Sequence, residues 1–119
     1  MKIPRKILER RKAVRVPEML PFKIGHQGFE IEATTLNISA AGALCRVDRE
    51  IALMTQLEIG LTLPAPNSAK GRVVRARGVV VRREKDTIPD KYLIAIYFSD
   101  IKPSDLSLLK EHIERRTGV

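Results

Sequence analysis

Two short stretches carry the side chains best suited to ligand chemistry. Residues 10–15 place arginines at positions 10, 11 and 15, and residues 37–42 read Asn-Ile-Ser-Ala-Ala-Gly. A guanidinium group binds phosphate oxygens, or O6 and N7 of guanine, through two parallel hydrogen bonds, and its flat face stacks on a base. The amide of Asn37 and the hydroxyl of Ser39 can bind the polar edge of a base or a ribose. We interpret the two stretches as halves of one site for an anionic guanine ligand.

The second stretch is predicted to form a tight corner between two strands. Asn37 and Ser39 are two residues apart, so on a strand their side chains point to the same face. Gly42 has no side chain, which lets a ligand or the basic segment approach the backbone. Each stretch alone has a simpler interpretation, because arginine pairs recur in basic chains and Asn, Ser and Gly favour turns. Their order and separation favour a shared site.

The positive charge is concentrated at the start of the chain. The net charge is +8, and the first 16 residues contain seven basic residues and one acidic residue. This balance indicates an anionic partner, which can be nucleic acid, a phosphate ligand or a membrane surface. Residues 1–16 have too little apolar surface to fold alone. We expect a flexible arm that orders when an anion neutralises it, and the simpler alternative is a solvated tail.

The composition predicts a single domain with an aliphatic core. The chain has 119 residues, 44% of them hydrophobic, but only 4% aromatic residues and no Trp. Scarce aromatics argue against a sheet that stacks RNA bases. A lone cysteine, Cys45, excludes an internal disulfide and fits a reducing compartment. With no apolar run of the ~18–20 residues that span a membrane and no signal core, we expect a soluble, cytoplasmic protein.

Alternating apolar and polar residues between turn signals predict a series of short strands. The predicted strands cover residues 19–24, 29–36 with an extension into 37–39, 43–47, 56–63, 69–84 and 92–98. Leu106, Leu109 and Ile113 then recur at helical spacing, which predicts a helix over residues 103–115. These elements favour an all-β fold, a small six-stranded antiparallel barrel over residues 17–119 with the C-terminal helix across one opening.

The rest of the chain offers little catalytic or metal chemistry. His26 and His112 have no cysteine or carboxylate at metal-ligand spacing, and there is no phosphate loop or nucleophile motif. Cys45 is expected to be a buried small hydrophobe. Five arginines on the longest strand are interpreted as a solvated face, with one or two of them able to extend the site or contact a partner. We therefore expect no enzyme activity, no metal and no cofactor.

The two stretches resemble the signature motifs of the PilZ domain family, bacterial receptors for the second messenger cyclic di-GMP. The resemblance rests on Arg11-x-x-x-Arg15 followed by Asn37-x-Ser39-x-x-Gly42, and it extends over about residues 9–113. It implies a six-stranded PilZ-type barrel with a C-terminal helix and a flexible basic arm.

The resemblance also implies a role for each motif residue. Arg11 and Arg15 bind guanine edges and phosphates, Asn37 and Ser39 hydrogen-bond a guanine, and Gly42 permits close packing. Arg10 precedes the first motif, and in this family an arginine there accompanies two mutually intercalated ligands, whereas a hydrophobic residue accompanies one. The ligand then clamps the arm onto the barrel and changes a surface that a protein partner reads.

Two rival interpretations stay open at this stage. A small basic barrel can bind nucleic acid, although the near-neutral body and the missing aromatics argue against it. The second rival interpretation is an adaptor protein that no longer binds the ligand, although the intact motifs argue against it.

Overall fold

Six antiparallel strands close into a barrel, with one helix after them. A computed structural model describes residues 14–65 and 68–117, and for residues 68–70 it describes the backbone alone. Around the barrel the strands follow the order β1-β2-β3-β6-β5-β4. The elements are β1 Pro21–His26, β2 Phe29–Ile38, β3 Gly42–Val47, β4 Gln56–Ala65, β5 Ser68–Lys85, β6 Tyr92–Ile101 and α1 Pro103–Thr117. This is the predicted six-stranded barrel with a C-terminal helix.

The core is aliphatic, as the composition predicts. Along β4 the side chains of Leu57, Ile59, Leu61 and Leu63 are buried while their neighbours are exposed or half-buried. This period of two directs one face of β4 into the barrel. Phe22 is the largest fully buried side chain of the described residues.

The first strand begins later than predicted. The expectation of a strand over residues 19–24 is corrected to Pro21–His26, which pairs with β2 on one side and β4 on the other. Leu20 N donates to the Thr35 hydroxyl at 2.8 Å instead of to a strand carbonyl. A side chain therefore holds the residues before Pro21, and periodicity cannot reveal such a contact.

The longest strand carries two irregularities in its pairing with β6. β5 has 18 residues, and its pairing with β6 shifts register at Arg77/Gly78 and again at Val80/Arg82. Gly71 has a φ of 69°, in the left-handed region that favours glycine. These bulges curve the strand enough to close the barrel.

The helix adds its apolar stripe to the barrel core. Leu109 and Ile113 are buried in the same cluster as the strand residues. Asp105 lies in the first turn and Arg115 and Arg116 in the last, as the helix dipole favours. Within residues 14–65 and 68–117, no helix has the length and apolar content to cross a membrane.

Two polar features of the barrel are structural. Cys45 is fully buried, and burial raises the pKa of its thiol, so it behaves as the small hydrophobe expected from the sequence. Arg46 on β3 donates a hydrogen bond to Asp86 in the β5–β6 loop, and this bond lowers the pKa of the Asp86 carboxyl. The five arginines of β5 are exposed. Among the residues that the structure describes, Arg77 forms an ion pair with Glu58 and Arg83 with Glu50.

Candidate functional site

An isolated antiparallel bridge brings the two sequence motifs together. Val16 N donates to Ile38 O at 2.8 Å, and Ile38 N donates to Val16 O at 3.0 Å. In an antiparallel pair the residue before one partner lies beside the residue after the other. Arg15 therefore lies beside Ser39, and Asn37 lies one residue before the bridge on the neighbouring segment. The end of the first motif and the start of the second meet at the end of β2.

The bridge also fixes the direction of the polar side chains around it. Val16 and Ile38 are buried in the barrel core, so Arg15 and Asn37, which precede them, point outward. Arg15 is exposed and Asn37 is half-buried. In the described part of the chain, neither side chain forms a hydrogen bond or an ion pair, and no buried side-chain polar atom lacks a partner. The guanidinium and the carboxamide are thus presented to solvent at the barrel surface.

Ser39 differs from the expectation drawn from alternation. β2 ends at Ile38, so Ser39 belongs to the turn and is only 4% exposed. Its Oγ accepts hydrogen bonds from Ala41 N and Gly42 N, both at 3.2 Å. Its backbone N donates to Gly42 O at 2.9 Å. The hydroxyl holds the turn closed, and it does not share a strand face with Asn37.

Gly42 has a packing reason in this fold. A Cβ at this position would lie 2.1 Å from the carbonyl oxygen of Ile96, which no side chain can tolerate. Next to Gly42, Phe98 N on β6 donates a hydrogen bond to Ala41 O at 2.8 Å. The turn therefore packs directly against β6, and that strand fills the space on the Cβ side of Gly42.

The arginines at positions 10 and 11 lie outside the described residues. Surface grooves of about 520 and 700 Å³ lie elsewhere on the barrel, and neither is lined by Arg15, Asn37 or Ser39. Arg15 and Asn37 thus face outward at the end of β2, away from both grooves. No group of His, Cys, Asp and Glu able to hold a metal occurs in residues 14–65 or 68–117.

Sequence reasoning missed one ionic contact next to this corner. Glu18 follows the bridged segment, and its side chain meets His112 and Arg116 on α1. His112 and Glu18 are 94 residues apart in the sequence, so no local spacing points to the pair. Only the docking of the helix beside the start of the barrel brings them together.

Comparison with known proteins adds a family and two structural neighbours. The sequence pattern described as PilZ domain matches residues 9–115. The Bacillus subtilis inhibitor of motility MotI/DgrA superposes with a TM-score of 0.78 at 24% identity, covering 98% of this chain and 53% of that one. The PilZ domain of YcgR from Escherichia coli, solved with c-di-GMP, superposes with a TM-score of 0.66 at 12% identity, covering 92% of each chain.

The coverage of these neighbours is uneven. This chain spans about half the length of the MotI/DgrA chain, and almost the whole of the YcgR domain. A search among curated proteins found no match. At these identities the two structures establish the barrel and its helix, while the family pattern covers both motifs.

Proposed function

The chain belongs to the PilZ domain family, and on this premise we propose that it is a receptor for cyclic di-GMP. The observation that carries the proposal is the Val16–Ile38 bridge, which joins Arg15 of the first motif to the Asn37–Gly42 corner of the second. A structural neighbour, the YcgR domain, was solved with the same ligand. Binding without chemical conversion suits a corner that offers hydrogen-bonding groups and no catalytic group.

The side chains at the corner fit a guanine nucleotide. Arg15 supplies a guanidinium that binds guanine O6 and N7, or a phosphate, through two hydrogen bonds. Asn37 supplies an amide that both donates and accepts, as the guanine edge requires. In this proposal Ser39 and Gly42 contribute by holding the corner in shape, since Ser39 Oγ is already bonded to the turn. Arg10 and Arg11 complete the site from the arm.

The proposed mechanism is closure of the arm that precedes the Val16–Ile38 bridge over the barrel. The described corner is open to solvent and has cationic and amide groups without partners among the described residues. A ligand with two phosphates that binds Arg11 and Arg15 on one side and Asn37 on the other draws the arm to the surface. The new surface is then read by a downstream protein partner.

Two ligand molecules per chain are expected at saturation. In this family an arginine directly before the first motif accompanies binding of two intercalated ligands, and Arg10 occupies that position. Calorimetric titration of the intact chain with cyclic di-GMP measures this stoichiometry directly. An Arg10→Leu chain provides the comparison, and we expect it to bind one ligand. If the unchanged chain saturates with one molecule of cyclic di-GMP, the predicted binding of a ligand pair is contradicted.

Titration also distinguishes the proposed receptor function from the alternative that the barrel binds nucleic acid. Duplex DNA and single-stranded RNA are titrated beside cyclic di-GMP at low and moderate salt. A receptor binds cyclic di-GMP and leaves both nucleic acids weakly bound. Tight nucleic-acid binding with a steep salt dependence, and no heat from cyclic di-GMP, overturns the proposed function.

A further inference from the structure

Glu18 ties the ligand corner to the end of the C-terminal helix. His112 Nε2 donates to Glu18 Oε1 at 2.7 Å, and Arg116 Nε lies 3.5 Å from Glu18 Oε2. The side chains of His112 and Glu18 are 9% and 10% exposed, so this contact is largely shielded from water. Both carboxylate oxygens of Glu18 are thereby engaged by α1.

The backbone of Glu18 is fixed from the other side. The Thr35 hydroxyl donates to Glu18 O at 2.7 Å and accepts from Leu20 N at 2.8 Å. Two residues earlier, Val16 is bonded to Ile38. Residues 16–20 are therefore held between β2 and the helix, and Arg15 directly precedes this held segment.

The buried carboxylate of Glu18 is not explained by stability alone. Taking a carboxylate out of water is costly, and a hydrophobic contact of the same volume often stabilises a fold equally well. The contacts of Glu18 with His112 and Arg116 add orientation, because they fix the segment at one distance and angle from the helix. The apolar docking of the helix is already supplied by Leu109 and Ile113.

We propose that Glu18, His112 and Arg116 position Arg15 for the ligand, so that the C-terminal end of α1 and the cyclic di-GMP site are energetically coupled. Glu18 and His112 are positioning residues, and neither is placed in contact with the ligand. The inference rests on the proposed function. Because coupling is reciprocal, a ligand that fixes Arg15 also stabilises the helix end, and a partner bound to that end changes ligand affinity.

The test compares Glu18→Ala with Glu111→Ala by calorimetric titration with cyclic di-GMP. Glu111 is an exposed carboxylate on the same helix, and it pairs only with Arg115 among the described residues. We expect Glu18→Ala to weaken binding by about fivefold or more, the lower end of typical coupling between sites. Glu111→Ala is expected to bind as the unchanged chain does.

A double-mutant cycle separates positioning from general destabilisation. In an Arg15→Lys background, the loss caused by Glu18→Ala shrinks if Glu18 acts through Arg15, and it stays the same if Glu18 only supports the fold. Thermal unfolding without ligand confirms that each chain is folded. If Glu18→Ala does not fold, Glu18→Gln replaces it, because glutamine keeps the size and one acceptor oxygen and loses the charge.

The possible failures are distinguishable. An unchanged chain that binds no cyclic di-GMP overturns the proposed function. If the unchanged chain binds cyclic di-GMP and the Glu18 variants bind it with equal affinity, the coupling is overturned. The coupling is also overturned if Glu18→Ala causes the same loss of affinity with Arg15 and with Lys at position 15. In both cases the receptor function still stands.

Discussion

Alanine at both Arg11 and Arg15 is expected to weaken cyclic di-GMP binding by roughly 30-fold or more. Each bidentate contact to guanine contributes on the order of 1–3 kcal/mol, so two such contacts contribute about 2–6 kcal/mol. Arg15 is exposed, and it forms no hydrogen bond or ion pair with the described residues, so its removal leaves the barrel intact. Calorimetry at one salt concentration measures the loss.

A control for this pair is Arg75→Ala. Arg75 is exposed on β5, which lies across the barrel from β2, and its removal takes away one positive charge, half of what the double substitution removes. We expect its affinity to stay close to that of the unchanged chain. Equal affinity in the unchanged and Arg11→Ala/Arg15→Ala chains would remove both arginines from the site. A similar loss in Arg75→Ala would point to nonspecific attraction of the anion.

A single methyl group at Gly42 is expected to destabilise the barrel by about 1–3 kcal/mol, the usual cost of overpacking. The added Cβ would lie 2.1 Å from the Ile96 carbonyl oxygen, so β3 and β6 must separate. The turn between β2 and β3, which follows Asn37 and includes Ser39 beside Arg15, lies at this contact. We therefore expect Gly42→Ala to lower the melting temperature by roughly 5–15 °C and to weaken ligand binding as well.

Gly60→Ala is the control for this substitution. Gly60 also lies in a strand, and an added Cβ there meets its nearest neighbour, Val73 Cγ1, at an ordinary 3.8 Å. We expect Gly60→Ala to leave the melting temperature unchanged or slightly raised, because alanine reduces the entropy of the unfolded chain. If the Gly42→Ala chain has the same melting temperature as the unchanged protein, the close approach of β6 to the turn is contradicted.

Most of the barrel could be predicted because its strands alternate with the period of a half-buried sheet. Phe29, Gln56 and Tyr92 begin strands where the pattern places them, and the helix begins at Pro103 as predicted. The prediction for β1 is two residues too early because Met19 and Leu20 continue the apolar pattern, whereas hydrogen bonds between Leu20 and Thr35 hold the chain there. Strand ends depend on such contacts, which local sequence does not encode.

The site was predictable in part, for a related reason. The types and spacing of Arg15 and Asn37 point to guanine chemistry, and the Val16–Ile38 bridge brings them together. The bonds of Ser39 within the turn, the approach of β6 to Gly42 and the contact of Glu18 with His112 could not be predicted. Each depends on segments that fold next to one another from distant parts of the chain.

The most direct test of the central claim follows the side-chain amide of Asn37 by ¹H–¹⁵N NMR during titration with cyclic di-GMP. The chain contains four side-chain amides, at Gln27, Asn37, Gln56 and Asn67, so three serve as internal controls. We predict that the Asn37 amide signals shift and saturate with the ligand, together with the Nε–H signal of Arg15, while the three controls stay in place. Ligand binding that leaves Asn37 and Arg15 unmoved would contradict the proposed site.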